Sequence, residues 1–469
     1  MSETNITAEG ARFIESAATK DLSAEALRIG RRCIVDTLGL YLAGGLEPTV
    51  QILAGDAVDT GGKAEAFVLS AGKAKVPAAL AARVLGTAGH AHDWDDTQVS
   101  HDPAHIYGLL THPSVPPLTA ALVIAQRLGN VTGEQLMLAF QTGFEFECKI
   151  SEWMLPKHYR RGNHSSGTVG TFGAAAAAAK LLGLKGDKLA HCIGMAASFA
   201  AGIRCNFGTM TKPLHVGRAA ENGVTAALLA ARGFTGITEI LEAGYGGFLS
   251  SLSRTPNIAR LTAGLGETWE TLNTGFKMYP TVTSIHTALD ALRQLMARHG
   301  LAAADIARVH VGIGHMTYVH CAWEYRPAGI TAAQMNLFYG LAVTALRGQV
   351  SASDFTEDRL ADPALMDFIA RITAEEDAGL EAMGPAFRHA CRMQVTTRDG
   401  RVLAQEILNR RGSPENAVTA AEVADKFRAN LAGVLPPAQQ DRVIALVQGF
   451  ETLESTAELT TILGRDWSG

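Results

Sequence analysis

The sequence predicts a mainly α protein, a large all-helical domain with an inserted smaller α+β lid domain. Three observations lead there. Apolar positions recur at close to helical spacing through residues 1–267. Alternating segments and an Asp-Gly turn first appear within 268–409. Helical spacing then returns over 410–469, so the two chain ends should build one domain around the insertion. At 469 residues the chain is also too long for one ordinary core.

The elements follow in order. Ser23 caps a helix that puts Leu27, Ile34, Leu38 and Tyr41 on one apolar side. Pro117–Leu128 opens on proline, and Thr132–Phe146 opens on a Thr-Gly-Glu capping pattern. The alanine-rich run Ala174–Leu182 should pack tightly and stop at Gly183. Gly217–Arg232 ends at Gly233. In the insertion, Ile306–Gly314 alternates as a strand, and Arg392–Thr397 with Arg401–Glu406 forms a hairpin around Asp399-Gly400. Thr331–Arg347 and Pro363–Ile372 read as helices, and helix resumes from Thr419.

Composition narrows the function classes. Lys+Arg 41 against Asp+Glu 46 leaves a net charge of −5, with no overall basic field for nucleic acid. Hydrophobic residues make up 47% and charged residues only 19%, ample for a core and suggestive of an oligomer. No apolar run approaches the ~20 residues that span a bilayer, and the first residues lack the basic and apolar regions of a signal peptide. The six cysteines are scattered without a Cys-x-x-Cys pair, which leaves no thiolate metal cage and no disulfide framework. These features suit a soluble cytoplasmic protein with no membrane or nucleic-acid partner.

Four clusters could carry chemistry. The first, Gly89-His90-Ala91-His92-Asp93-Trp94-Asp95-Asp96-Thr97 with His101, Asp102, His105 and His112, holds five histidines and four aspartates. A metal would need His90, His92 and an aspartate together, yet a His-x-His on a helix turns its rings ~200° apart. An acid–base pocket uses the same residues better, because a carboxylate fixes an imidazole's tautomer and tunes its pKa. The second cluster, Arg160 through Gly173 around His164, opens the alanine helix with free N–H groups suited to a carboxylate. It has no Gly-Lys-Ser/Thr for phosphate and no nucleophile elbow. The third, Arg204 to Arg218, sets Lys212 and His215 among apolar neighbours as a cationic site. The fourth runs from Phe276 through Lys277 to His286 and Asp290. Together they suit proton transfer beside carboxylates with no metal and no cofactor: elimination, decarboxylation or epimerisation through a carbanion.

At these clusters the sequence resembles the MmgE/PrpD family, which groups 2-methylcitrate dehydratase, cis-aconitate decarboxylase and iminodisuccinate epimerase. The matching stretches are HAHDWDDT with THPSVPPL, GNHSSGTVGTFGAAAAAAKLLGL, TKPLHVGRAAENGVTAALLAARGFTG and KMYPTVTSIHTALDAL. The resemblance implies a helical domain built from both chain ends, a lid domain, a homodimer, no cofactor and no metal. Carried over by motif, His112, Asp93, Lys212 and His286 are the implied catalytic residues, with Lys212 binding a substrate carboxylate. Thr97, His164, Tyr339 and Lys277 are the implied substrate-binding residues. One departure is the length of the stretch from Gln98 to Thr111, which adds a loop bearing His101, His105 and Tyr107. Another is Pro213 after Lys212, where many members place a second basic residue. The expected activity is a lyase acting on a small di- or tricarboxylic acid. The alternatives are an epimerase of an imino- or amino-dicarboxylate and a silent binding paralogue.

Overall fold

The computed structural model describes residues 5–100, 109–154, 157–253 and 262–464. It divides into two compact units. The larger runs to Thr274 and resumes at Thr419, and the smaller spans Gly275–Val418.

In the larger unit the chain forms α1 (Ile6–Ser16), α2 (Ala24–Gly44), α3 (Pro48–Thr60), α4 (Ala78–His90), α5 (Val115–Leu128), α6 (Gly133–Met154), the short α7 (Lys157–Arg160), α8 (Ser165–Leu181), α9 (Asp187–Phe199) and α10 (Thr211–Ala231). Two short antiparallel pairs interrupt the helices, β1 (Ala66–Phe67) with β2 (Lys75–Val76), and β3 (Thr97–Val99) with β4 (Leu109–Thr111). The ends carry their expected caps. The Ser23 hydroxyl accepts from Ala26 N at 3.1 Å. Thr132 and Gln135 satisfy each other's backbone N–H. Gly129 takes the left-handed conformation that stops α5.

The hub is α8, where every residue from Ser165 to Ala179 is buried. Helices α5, α6, α9 and α10 pack around it. Alanine and glycine permit this crowding: a Cβ on Gly223 of α10 would strike the α8 backbone. A Cβ on Gly217 would strike Thr87 and the Arg83 carbonyl of α4. The missing side chains thus press α10, with Lys212 and His215 near its start, against α4, which ends at His90.

The smaller unit is built on a four-stranded sheet of β5 (Ile306–Ile313), β6 (Ile372–Glu376), β7 (Cys391–Thr397) and β8 (Val402–Ile407), in the order β6-β5-β7-β8. The β5–β6 pair is parallel, with Val309 opposite Ile372. The other pairs are antiparallel, with Val311 opposite Met393 and Met393 opposite Gln405. Helix α11 (His286–His299) lies on this sheet and contributes Leu289, Leu292 and Leu295 to the core beside Val309, Val311, Met393 and Val395.

Two sequence readings change here. The helix expected over Thr331–Arg347 is two, α12 (Ile330–Met335) and α13 (Leu337–Arg347), because the Asn336 side chain caps the second by accepting from Tyr339 N at 3.0 Å. The helix expected to reach Ile372 ends at Ile369 in α14 (Pro363–Ile369), and Ile372 starts β6, whose five residues are too few for a period to show. The changeovers at Thr274 and Thr419 lie slightly later than the expected 267/268 and 409/410. Trp269 is buried in the larger unit, with its indole N–H on the Asp21 carbonyl, and Arg410 is buried in the smaller one. The chain then returns to the larger unit through α15 (Ala420–Asn430), opened by a Thr419–Glu422 capping box. Among the described residues, no helix is long and apolar enough to cross a membrane.

Candidate active site

The last turn of α4, the loop after it, the start of α5 and the start of α10 bring the first and third sequence clusters together. Asp93 sits in that loop at φ 50°, a left-handed conformation uncommon outside glycine, and its carboxylate reaches the Lys212 ammonium at 2.8 Å. Both side chains stay partly open, 18% and 14% exposed. The Lys212 ammonium also lies 5.4 Å from the centre of the Phe207 ring.

Behind this pair the polar groups are buried. His90 Nδ1 faces both oxygens of Asp95, at 2.8 and 3.0 Å, and neither side chain is exposed. His112 Nδ1 donates to the Asp96 carbonyl at 2.9 Å and lies 3.5 Å from Asp95. The Asp96 carboxylate accepts from the Ser114 hydroxyl at 2.5 Å and from its backbone N–H at 3.2 Å. Burial pushes the Asp96 carboxyl up to about 7 against those hydrogen bonds, aided by Asp95 and Asp36. Thr97 follows in β3 and is also buried.

The second cluster joins through His164, the residue preceding α8. Its Nδ1 lies 3.1 Å from His215 Nδ1, so one ring donates and the other accepts. Its ring centre lies 5.6 Å from that of His90, which in turn lies 4.9 Å from that of His112. Burial first, then the neighbouring His90, Lys212 and other imidazoles, hold His164 well below the ordinary histidine range. It is therefore neutral near pH 7 and offers a hydrogen bond rather than a charge.

The supporting frame comes from the C-terminal return. Lys426 of α15 pairs with the buried Asp36 of α2 at 2.7 Å and donates to the Trp94 carbonyl at 2.8 Å. That clamp fixes the loop between Asp93 and Asp95 from behind.

A second buried polar group occupies the same unit. Glu145 accepts from Glu270 N at 2.6 Å, and Lys149 pairs with Glu270 at 2.9 Å. Gln98 donates to the Glu270 carboxylate at 2.9 Å. Glu147 accepts from the Thr111 hydroxyl at 3.2 Å, and Ser166 joins this group to the site by accepting from His112 N at 3.0 Å. Burial pushes Glu145 up to about 8, with Lys149 opposing, and raises Glu147 well above the carboxylate range.

The structure thus gathers Asp93, His112, His164 and Lys212 in one place with Thr97 in the adjoining strand. His286, Lys277 and Tyr339 belong to the smaller unit. There His286 is fully buried, edge-on to Tyr279 with ring centres 5.2 Å apart. Lys277 is buried as well. Tyr339, expected at the pocket, is instead a core residue: its hydroxyl donates to the Asp354 carbonyl at 2.6 Å, and its ring packs on Tyr325 and Phe355. His101, His105 and Tyr107 lie outside the described residues.

The metal question also resolves differently from the His-x-His pattern. His92 turns away to Glu47, at 2.8 Å. Ligand atoms of His90, Asp93, Asp95 and His112 do lie within 4.8 Å of one another, close enough to hold an ion. A cation there would compete with the Lys212 ammonium for Asp93 and with the His90 N–H for Asp95. The donor set therefore fits proton chemistry better than metal binding.

Sequence reasoning weighed His90 only as a metal ligand, set His215 with Lys212 in a cationic site, and named Asp95 in the first cluster without a role of its own. For His215 a signal existed: it lies three residues after Lys212 on one helix, hence on the same face. Asp95 had none, since its partner depends on how the loop folds back.

Comparison with known proteins identifies the family. The MmgE/PrpD N-terminal domain matches residues 9–260, and the MmgE/PrpD C-terminal domain matches residues 279–452. The human cis-aconitate decarboxylase is 28% identical over 98% of this chain and 94% of its own length. An Aspergillus terreus cis-aconitate decarboxylase is 26% identical over 98% of this chain and 96% of its own. The 2-methylcitrate dehydratase of Cupriavidus necator is 30% identical over 58% of each chain. Since the two domains follow in order and together span most of the sequence, the chain belongs to the MmgE/PrpD family.

Proposed function

We propose that the protein is a metal-independent lyase that decarboxylates or dehydrates a small di- or tricarboxylic acid of the cis-aconitate or 2-methylcitrate kind. The observation that carries this reading is the half-open Lys212–Asp93 ion pair beside the buried imidazoles of His112 and His164. An incoming carboxylate competes with Asp93 for the ammonium, which places a fixed positive charge beside the reacting carbons. His112, with its Nδ1 proton held by the Asp96 carbonyl, has its Nε2 lone pair for taking and returning a proton.

In a decarboxylation, the carbon–carbon bond to the departing carboxylate breaks, that group leaves as CO₂, and the bond's electron pair stays on the substrate. That pair shifts along the conjugated chain, and protonated His112 delivers a proton to the carbon that gains it. In a dehydration, neutral His112 removes the proton beside a carboxylate, and the hydroxyl departs with a proton from an acid. His164, neutral and adjoining, and Thr97 orient the substrate. His286 as a second proton donor and Lys277 as a further binding residue rest on the family resemblance. So does the homodimer, which light scattering in solution tests.

The testing experiment is proton NMR of chelator-treated protein in D₂O with cis-aconitate, 2-methylcitrate and iminodisuccinate. A decarboxylated or dehydrated product from either tricarboxylate is the expected result. Deuterium entering iminodisuccinate at its α-carbon without a new skeleton would instead make the protein an epimerase. Turnover that requires an added metal would overturn the metal-independent mechanism.

A further inference from the structure

We propose that Asp95 is a positioning residue that, as a carboxylate, fixes the tautomer of His90 and stands beside the Nδ1–H that His112 gives to the Asp96 carbonyl, so that both rings keep the lone pair on Nε2. Its kinetic consequence rests on the lyase reading above, and its structural core does not.

Three observations combine. Both Asp95 oxygens face His90 Nδ1, at 2.8 and 3.0 Å, and one of them lies 3.5 Å from His112 Nδ1. An ionised Asp95 accepts from His90 Nδ1–H, whereas a neutral acid would donate to that nitrogen and leave a buried His90 Nε2–H with no acceptor among the described residues. The Asp96 carbonyl, an acceptor only, meets the same His112 nitrogen at 2.9 Å and permits no other assignment there. Each ring then carries hydrogen on Nδ1 and a lone pair on Nε2.

The burial pattern separates the two roles. Lys212 and Asp93 are partly exposed and meet the substrate, while Asp95 and His90 have no exposed side-chain surface. His90 Nε2 has no hydrogen-bond partner among the described residues, which is costly for a buried imidazole unless something else uses it. With the ring centre of His112 4.9 Å away and that of His164 5.6 Å away, His90 belongs to the imidazole group of the site rather than to the apolar core. Asp95 also supplies a negative charge beside His112 when that ring becomes an imidazolium, which stabilises the proton-carrying state.

The first test needs no substrate. Neutron diffraction of the fully deuterated protein locates deuterium on each ring nitrogen. Nδ1 of both His90 and His112 is expected to carry deuterium, whether the ring is neutral or charged. A bare Nδ1 on either ring overturns the proposal, even if the protein proves to be an active lyase.

The second test is Asp95→Asn, whose amide also presents a donor to Nδ1. The expected result is a bare Nδ1 on at least one ring, with kcat lowered roughly 100-fold and KM little changed. Unchanged tautomers and unchanged kcat in a folded Asp95→Asn protein would overturn it. Glu145→Gln, which alters a buried carboxylate in the other polar group, is expected to leave both tautomers as they are. Loss of Nδ1 deuterium there too would make the effect one of buried charge in general, and would likewise count against Asp95.

Discussion

Two buried polar groups stand side by side in the larger unit, and they are organised in opposite ways. Around Glu145, Glu147, Lys149 and Glu270 the carboxylates are answered from within by Glu270 N, the Thr111 hydroxyl, the Gln98 amide and the Lys149 ammonium. Burial there raises Glu145 and Glu147, so protonation relieves much of the charge. Around Asp93, His112 and Lys212 the charges are arranged as an ion pair that is partly open, next to imidazoles with fixed hydrogen positions. The contrast teaches that burial of polar groups alone does not mark a reactive site. The mark is a charged pair left accessible beside groups that can carry a proton.

Exchanging side chains on each side sharpens the contrast. His112→Gln keeps a polar side chain but loses the proton carrier, and kcat should fall by roughly 10²–10⁴-fold, as steady-state turnover would measure. Lys212→Met removes a charge-assisted contact worth roughly 1.5–3 kcal/mol, so KM should rise about 10- to 150-fold. An unchanged KM would mean that Lys212 does not meet the substrate.

Glu145→Gln tests the other group through stability rather than turnover. Because the folded protein holds the Glu145 proton up to about pH 8 while the unfolded chain loses it near the ordinary carboxyl range, folding stability falls as pH rises through that window. Relative to the Gln variant, the wild type should lose on the order of a few kcal/mol between about pH 5 and about pH 9. Denaturant unfolding at both pH values would show it, and parallel curves would contradict it. Glu147→Gln should change least among the variants, by about 1 kcal/mol in stability, because it replaces one uncharged, hydrogen-bonded group with another. Removing divalent ions with a chelator should leave turnover as it was.

Much of the fold was legible because long helices repeat their pattern many times. The Ser23 and Thr132 caps are local signals and lie where the sequence placed them. Strand β6 was not legible, since five residues in parallel pairing carry no distinctive alternation. Within the site, Asp93, His112, His164 and Lys212 stand out as motif residues, carried by the loop after α4, the approaches to α5 and α8, and the start of α10. Asp95 and the His164–His215 contact were hidden, because a partner set by loop geometry or by two helices far apart in sequence leaves no spacing to read. Tyr339 came from the family resemblance alone, and no spacing announces that its hydroxyl meets the Asp354 carbonyl.

The most direct test of the contrast is calorimetric binding of tricarballylate, a saturated tricarboxylate with no double bond to shift, to the wild type, Lys212→Met and Glu147→Gln proteins side by side. The expected result is wild-type affinity in Glu147→Gln and affinity about 10- to 150-fold weaker in Lys212→Met. Equal binding by Lys212→Met and wild type, or loss confined to Glu147→Gln, would place the carboxylate site elsewhere and contradict the account.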